Sequence, residues 1–173
     1  WPASGRCKSH QAVDTGREQA AINQQRLTAH TLAVAEALNE QGDVDVQVAM
    51  SGVSLRSAHR CLPSFPPCTL VDQGRGSLGA RMLRQIHRAR FRQQNKPVIV
   101  IGTDLADLCQ NDLRHAIQKL QNQPLVLGPS ADGGYWLLGL GAALTQQQLD
   151  ALFAAVPWGS NKVFDITCAR ARG

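Results

Sequence analysis

The stretch Lys96-Pro97-Val98-Ile99-Val100-Ile101-Gly102 constrains the fold of this chain more than any other. Its four β-branched apolar residues in an unbroken row make a strand, far short of the roughly 18 apolar residues that cross a membrane. A row without polar alternation implies a strand buried on both faces, as in a parallel sheet covered by helices. Val44, Val46 and Val48 alternate with Asp45, Gln47 and Ala49 and predict a second strand. Shorter apolar runs at Thr69 to Val71, Leu125 to Leu127 and Tyr135 to Leu140 predict three more.

Helical segments fall between these runs. One opens at Asp14 or Thr15, carries Ala21, Ile22, Leu27, Leu32, Val34, Ala35 and Leu38, and stops at Gly42. A second spans Ser77 to Gln94, with Leu78, Met82, Leu83, Ile86 and Phe91 expected inward and most of its arginines outward. Others run from Asn111 or Asp112 to Asn122 and from Thr145 to Ala155. Strand and helix alternate, so the fold class is α/β with a mainly parallel central sheet flanked by helices. With 173 residues there is room for one ordinary domain with its own core.

The opening, Trp1 to Val13, lacks the apolar stretch of a signal peptide, and the chain is expected to be cytoplasmic with no membrane contact. Five scattered cysteines show neither Cys-x-x-Cys pairs nor histidines at finger spacing, which predicts reduced thiols in place of a disulfide framework or structural zinc. The net charge of +5 is concentrated: no acid lies between Asp72 and Asp104, while Arg75, Arg81, Arg84, Arg88, Arg90, Arg92 and Lys96 do. Such a field draws anions. Phe91 is the one aromatic among them, too few for stacking on single strands, so nucleic acid is not expected as a partner.

Open α/β sheets bind ligands beyond the carboxyl ends of their strands, which singles out two places. Asp104, directly after Gly102 and Thr103, is placed to be either a catalytic or metal-holding carboxylate or the cap of the following helix. Asp107, three residues on, is either a second ligand for Mg²⁺ or Mn²⁺, cations that take carboxylate, phosphate and water oxygens, or a ribose contact, or the cap itself. Asp132-Gly133-Gly134-Tyr135 is either a tight loop that brings amides to a ligand or a plain turn between two strands. Arg6 and Lys8 beside Gly5 are either cations for a diphosphate or part of an exposed basic terminus, and no P-loop signature is present. Arg81 lies with Gly79 at a helix start, where amides favour anions, and Trp158 is either an aromatic wall for a ligand or a core residue.

Together these segments resemble the small bacterial glycosyltransferases of the GT-A, nucleotide-diphospho-sugar transferase type, which include the radical-SAM/selenodomain-associated and arsenosugar-biosynthesis transferases. Trp1-Pro2-Ala3-Ser4-Gly5-Arg6-Cys7-Lys8-Ser9 is similar to that family's Pro-x-x-Gly-x-x-Lys-Thr-Arg-Leu opening. Gly76-Ser77-Leu78-Gly79-Ala80-Arg81-Met82 resembles its Gly-Asp-Leu-Gly-Glu-Arg-Met, and Ile101-Gly102-Thr103-Asp104 its Gly-Thr-Asp-Ser-Pro-Asp-Leu. Leu127 to Leu140 resembles its Leu-Gly-Pro-x-x-Asp-Gly-Gly-Tyr-x-Leu-x-Gly-Leu, and Pro157-Trp158-Gly159-Ser160 its Pro-Trp-Ser.

The resemblance implies a Rossmann-like sheet of GT-A type and a metal-dependent glycosyltransferase with a nucleotide-sugar donor and a small-molecule acceptor. It implies Mg²⁺ or Mn²⁺ on Asp104 and Asp107, and Gly5, Arg6, Lys8, Gly79, Arg81 and Thr103 at the nucleotide or its diphosphate. It also implies Gly133, Gly134, Tyr135 and Trp158 in the donor or acceptor pocket, with Asp104 and Asp132 as catalytic residues and Asp132 as general base.

Some positions depart from the family: Ser9-His10 stands for Thr-Arg, Ala80 for Glu, and Leu105-Ala106 for Ser-Pro. The family's first apolar strand would precede Trp1, so a domain trimmed at both ends is expected, and a sheet short of an inner strand favours a homodimer. Two alternatives follow. One is a nucleotidyltransferase of the same fold that joins an NTP to a phosphorylated acceptor. The other is a non-catalytic nucleotide-binding or interaction protein.

Overall fold

The computed structural model of the chain describes residues 17–172 apart from 43, 53, 55, 58–68 and 95. Among these lie five helices and five strands. They fall into two compact units: the described residues up to Asp72 together with Thr103–Asp112, and Gln73–Gly102 together with Leu113 onward.

In the first unit, α1 (Arg17–Asn39) is followed by Gly42, whose N–H donates to Asn39 O at 2.9 Å and whose φ of 79° suits a residue without Cβ. Of the predicted apolar stripe, Leu32, Ala35 and Leu38 are buried, but Ile22 is exposed while Thr31 and Glu36 take buried positions. That exchange is why the stripe is blurred in the sequence. Strand β1 (Gln47–Met50) pairs in parallel with β2 (Thr69–Asp72), from Gln47 opposite Thr69 to Met50 opposite Asp72. Val48 and Met50 are its buried residues, as period-two alternation requires.

The second unit contains α2 (Leu78–Arg92), β3 (Val98–Ile101), most of α3 (Gln110–Lys119), β4 (Leu125–Pro129), β5 (Tyr135–Leu140), α4 (Gln146–Phe153) and α5 (Val163–Arg172). Its strands are ordered β3-β5-β4, and β5 runs antiparallel to both neighbours. The expectation of a mainly parallel sheet therefore needs correction: the described strands form one parallel pair and one antiparallel trio. Only residues 130–134 separate β4 from β5, enough for a hairpin and too few for a parallel crossover, which takes a dozen or more. Val98–Ile101 are likewise half-buried instead of fully covered, and the deeply buried strand is β5, through Leu137, Leu138 and Leu140.

Side chains of Ile86, Leu138, Leu140, Leu149, Leu152 and Phe153 form the core of this unit, with Met82, Leu83, Val98, Val100, Tyr135 and Trp158 packed around it. Ser77 caps α2 by accepting from the Ala80 N–H at 3.3 Å. Thr145 and Gln148 form a reciprocal capping box on α4. Phe91 departs from expectation. It is 84% exposed, and the inward position one turn past Ile86 belongs to Arg90. The Arg90 guanidinium donates to Leu144 O at 2.6 Å and Gly141 O at 2.7 Å. Partial burial pushes it below its ordinary value, yet an arginine so placed remains cationic. Among the described residues no helix is long and apolar enough to cross a membrane, and Cys109 and Cys168 are free thiols.

Leu140 is fully buried, so Leu140→Ala is expected to lower unfolding free energy by about 2–5 kcal/mol in urea titration. Phe91→Ala is expected to change it by no more than about 0.5 kcal/mol.

Candidate functional site

The loop that follows β3 belongs to the first unit and carries Thr103, Asp104 and Asp107. Helix α1 holds it at two points. The Gln24 amide donates to Thr103 O at 3.2 Å and to Thr103 Oγ1 at 3.4 Å, and a His30 ring nitrogen bonds Leu108 O at 2.8 Å. Leu108 is buried and pins the end of the loop, while Asp104 and Asp107 are exposed. Asp104 does not cap α3. That helix begins at Gln110, and Asp112 serves its start by accepting from the Cys109 N–H at 2.8 Å. The capping reading of Asp104 thus falls away. Among the described residues no three metal-ligating side chains gather at Asp104 and Asp107 or elsewhere.

In the second unit, Ser130 to Gly134 close the β4–β5 hairpin. Ser130 N donates to Gly134 O and Gly133 N to Ser130 O, each at 3.1 Å. Asp132 Oδ1 accepts from Ser130 Oγ at 2.5 Å and Gly134 N at 3.0 Å, which fixes an exposed carboxylate in one orientation. Gly133 has a φ of 82°, its carbonyl accepts the Phe164 N–H in the first turn of α5 at 2.9 Å, and a Cβ there would overlap the Asn161 carbonyl. The plain-turn reading of this segment is therefore met in full, and an oriented, exposed carboxylate comes with it.

Trp158 brings three of the nominated residues together. Its ring lies edge-on to Tyr135 at 6.4 Å between centroids and tilted over Phe153 at 5.5 Å. A Cβ on Gly79 would collide with its indole nitrogen. The glycine in the first turn of α2 is thus required by this indole, and Trp158 serves core packing. Tyr135 points inward to a hydrogen bond with Thr167, a buried residue of α5; desolvation pushes its phenol above the ordinary value, partly offset by that bond.

Arg81, also in the first turns of α2, donates from Nη1 to Gln73 Oε1 at 2.8 Å. Gln73, Gln24, Thr167 and Asn161 were not singled out by sequence reasoning. Glutamine, threonine and asparagine carry no local signal when their partners lie far along the chain, although Gln73 does open the Gly74-Arg75-Gly76 run. Gly5, Arg6 and Lys8 lie outside the described residues.

A family model described as "Uncharacterized protein conserved in bacteria (DUF2064)" matches residues 31–160. No curated protein matches the chain. The crystal structure of a Desulfovibrio desulfuricans G20 protein, provisionally named a nucleotide-diphospho-sugar transferase, covers 99% of this chain and 73% of its own, with a TM-score of 0.84 and 24% identity. The two share a fold, as the sequence resemblance implied.

Two outcomes follow. Gly79→Ala should destabilise the protein by about 1–3 kcal/mol in urea titration, because overpacking against Trp158 outweighs the gain in helix propensity of about 1 kcal/mol. The raised phenol of Tyr135 favours its protonated form in the folded state. Its contribution is complete below about pH 10 and is lost as pH rises through the folded value. Unfolding titrations between neutral and strongly alkaline pH should show that loss in the native protein and a weaker one in Tyr135→Phe.

Proposed function

The chain belongs to the DUF2064 family of uncharacterized proteins conserved in bacteria, and on that footing we propose that it is a glycosyltransferase that uses a nucleotide-sugar donor. The observation that carries this reading is the shared fold with the protein named a nucleotide-diphospho-sugar transferase, over nearly the whole of this chain. The GT-A form of the Rossmann-like sheet is part of the same proposal.

In this reading the donor diphosphate is held by Lys8, Arg6 and Gly5 of the opening segment and by Arg81, with Thr103 beside the nucleotide. Asp104 and Asp107 are hard oxygen donors without a third protein ligand among the described residues. That set suits Mg²⁺ or Mn²⁺ shared with substrate phosphates, and does not suit a closed protein cage. A cation bound there offsets the charge that builds on the departing diphosphate.

Asp132 takes the proton of the acceptor hydroxyl as that oxygen attacks the donor sugar. Its Oδ1, fixed by Ser130 and Gly134, orients the carboxylate for this role. Gly133 and Gly134 let the turn pass close to the acceptor. Tyr135 and Trp158 back the pocket from the core side.

Thermal unfolding with a panel of nucleotide sugars, nucleoside diphosphates and NTPs, with and without Mn²⁺, tests the proposal. A nucleotide sugar of one base at about a hundredfold over its Kd should stabilise the protein by roughly 3 kcal/mol. The effect should require Mn²⁺ and disappear in Asp104→Ala. Stabilisation by NTPs alone would replace glycosyl with nucleotidyl transfer, and silence across the panel would leave a non-catalytic protein.

A further inference from the structure

Four arginines of α2 donate to protein atoms; Arg88 gives Nη1 to Gln85 Oε1 within its own helix at 3.4 Å, and the other three reach beyond the helix and differ in how many donors they spend. Arg84 gives Nη1 to Gln73 O and Nη2 to Arg75 O, both at 2.9 Å. Arg90 gives both terminal nitrogens to the carbonyls of Leu144 and Gly141. Each of these forks is consumed by main chain, the pattern of a structural tie. Arg81 spends one nitrogen, Nη1, on the side-chain oxygen of Gln73. Among the described residues its Nε, like that of Arg90, is buried without an acceptor, and its Nη2, unlike the terminal nitrogens of Arg90, makes no bond to main chain.

The partner of Arg81 is itself held firmly. Gln73 O accepts from Arg84 Nη1 and from the Gln85 amide at 3.2 Å, so its backbone is anchored to the helix that carries Arg81. Gly74, with a φ of 78°, lies so close to the Arg84 guanidinium that a Cβ would come within 2.5 Å of Nη1. The loop 73–77 is therefore laced to α2, which sets the Gln73 side chain against Arg81.

We infer that Gln73 is a positioning residue for Arg81: it takes one end of the guanidinium fork and thereby presents the other to an anionic oxygen of the donor diphosphate. This rests on the transferase reading, in which Arg81 contacts that diphosphate. A long arginine side chain has many rotamers, and a single fixed acceptor removes the cost of selecting one when the anion binds. Its holder is a neutral amide, so the pair as a whole carries a positive charge toward an anion, whereas a carboxylate in the same place would neutralise the pair and compete with the ligand.

The test is isothermal titration with UDP, GDP, CDP, ADP and TDP in Mn²⁺, on the full chain, with urea midpoints to verify folding. For the nucleotide that binds, Gln73→Leu and Arg81→Ala should each weaken affinity about tenfold, the size of one charge-assisted hydrogen bond. The double variant should be no weaker than Arg81→Ala alone, because Gln73 acts through Arg81. Should Gln73→Leu fail to fold, Gln73→Asn withdraws the same oxygen by one methylene and is expected to reproduce the loss. An unchanged affinity in the Gln73 variants beside a loss in Arg81→Ala overturns the positioning role and leaves the transferase reading standing. Additive losses in the double variant overturn it as well. No binding of any diphosphate by the unaltered protein overturns both.

Discussion

Strand β5 pairs on both sides, with β3 along Val98–Ile101 and with β4 along Leu125–Pro129, and its Leu137, Leu138 and Leu140 are among the most deeply buried residues of the second unit. A strand that satisfies its ladder on both edges and its side chains on both faces has no alternative register, since a one-residue slip would exchange the faces. Several of the residues nominated in that unit lie at the first end of this strand. Its first residue, Tyr135, reaches Thr167 and Trp158, and the turn before it fixes Asp132. Its last residue, Leu140, leads into Gly141, whose carbonyl Arg90 holds.

The arginine-rich helix takes on a different character once donors are counted. A run of cations suggests a solvated face or an anion surface, yet Arg84 and Arg90 are occupied with backbone carbonyls at 2.6–2.9 Å. Such bonds satisfy acceptors in loops that no ladder reaches, which is what buried or half-buried carbonyls require. The position where an apolar residue was expected, one turn beyond Ile86, is filled by Arg90, whose stem packs while its head bonds. Phe91 is left outside as a consequence.

Much of the fold was legible in sequence because it depends on local signals. The helix start near Ser77, the stop at Gly42 and the span Tyr135–Leu140 follow from apolar periodicity, positive φ and continuous apolar runs, which act over a few residues. The candidate site was legible in part. Asp104 was found from its place after a strand, and the Asp132 turn from its paired glycines. Its supports were not found: Gln24 meets Thr103 across 79 positions, and Thr167 meets Tyr135 from the other end of the unit. A polar residue gives no sign of such a partner, because the bond exists only after the fold has brought the two together.

The sequence by itself determined where most strands and helices of this chain lie, where its principal breaks fall, and that acids follow two of its strands. Those features arise from backbone preferences and apolar periodicity within short windows. Tertiary structure alone decided that β5 pairs antiparallel with both neighbours, that Gly79 yields to Trp158, and that Arg81 answers to Gln73. Strand direction, close packing and hydrogen-bond partnership are properties of pairs. Nothing in either member of a pair states which other residue it will meet.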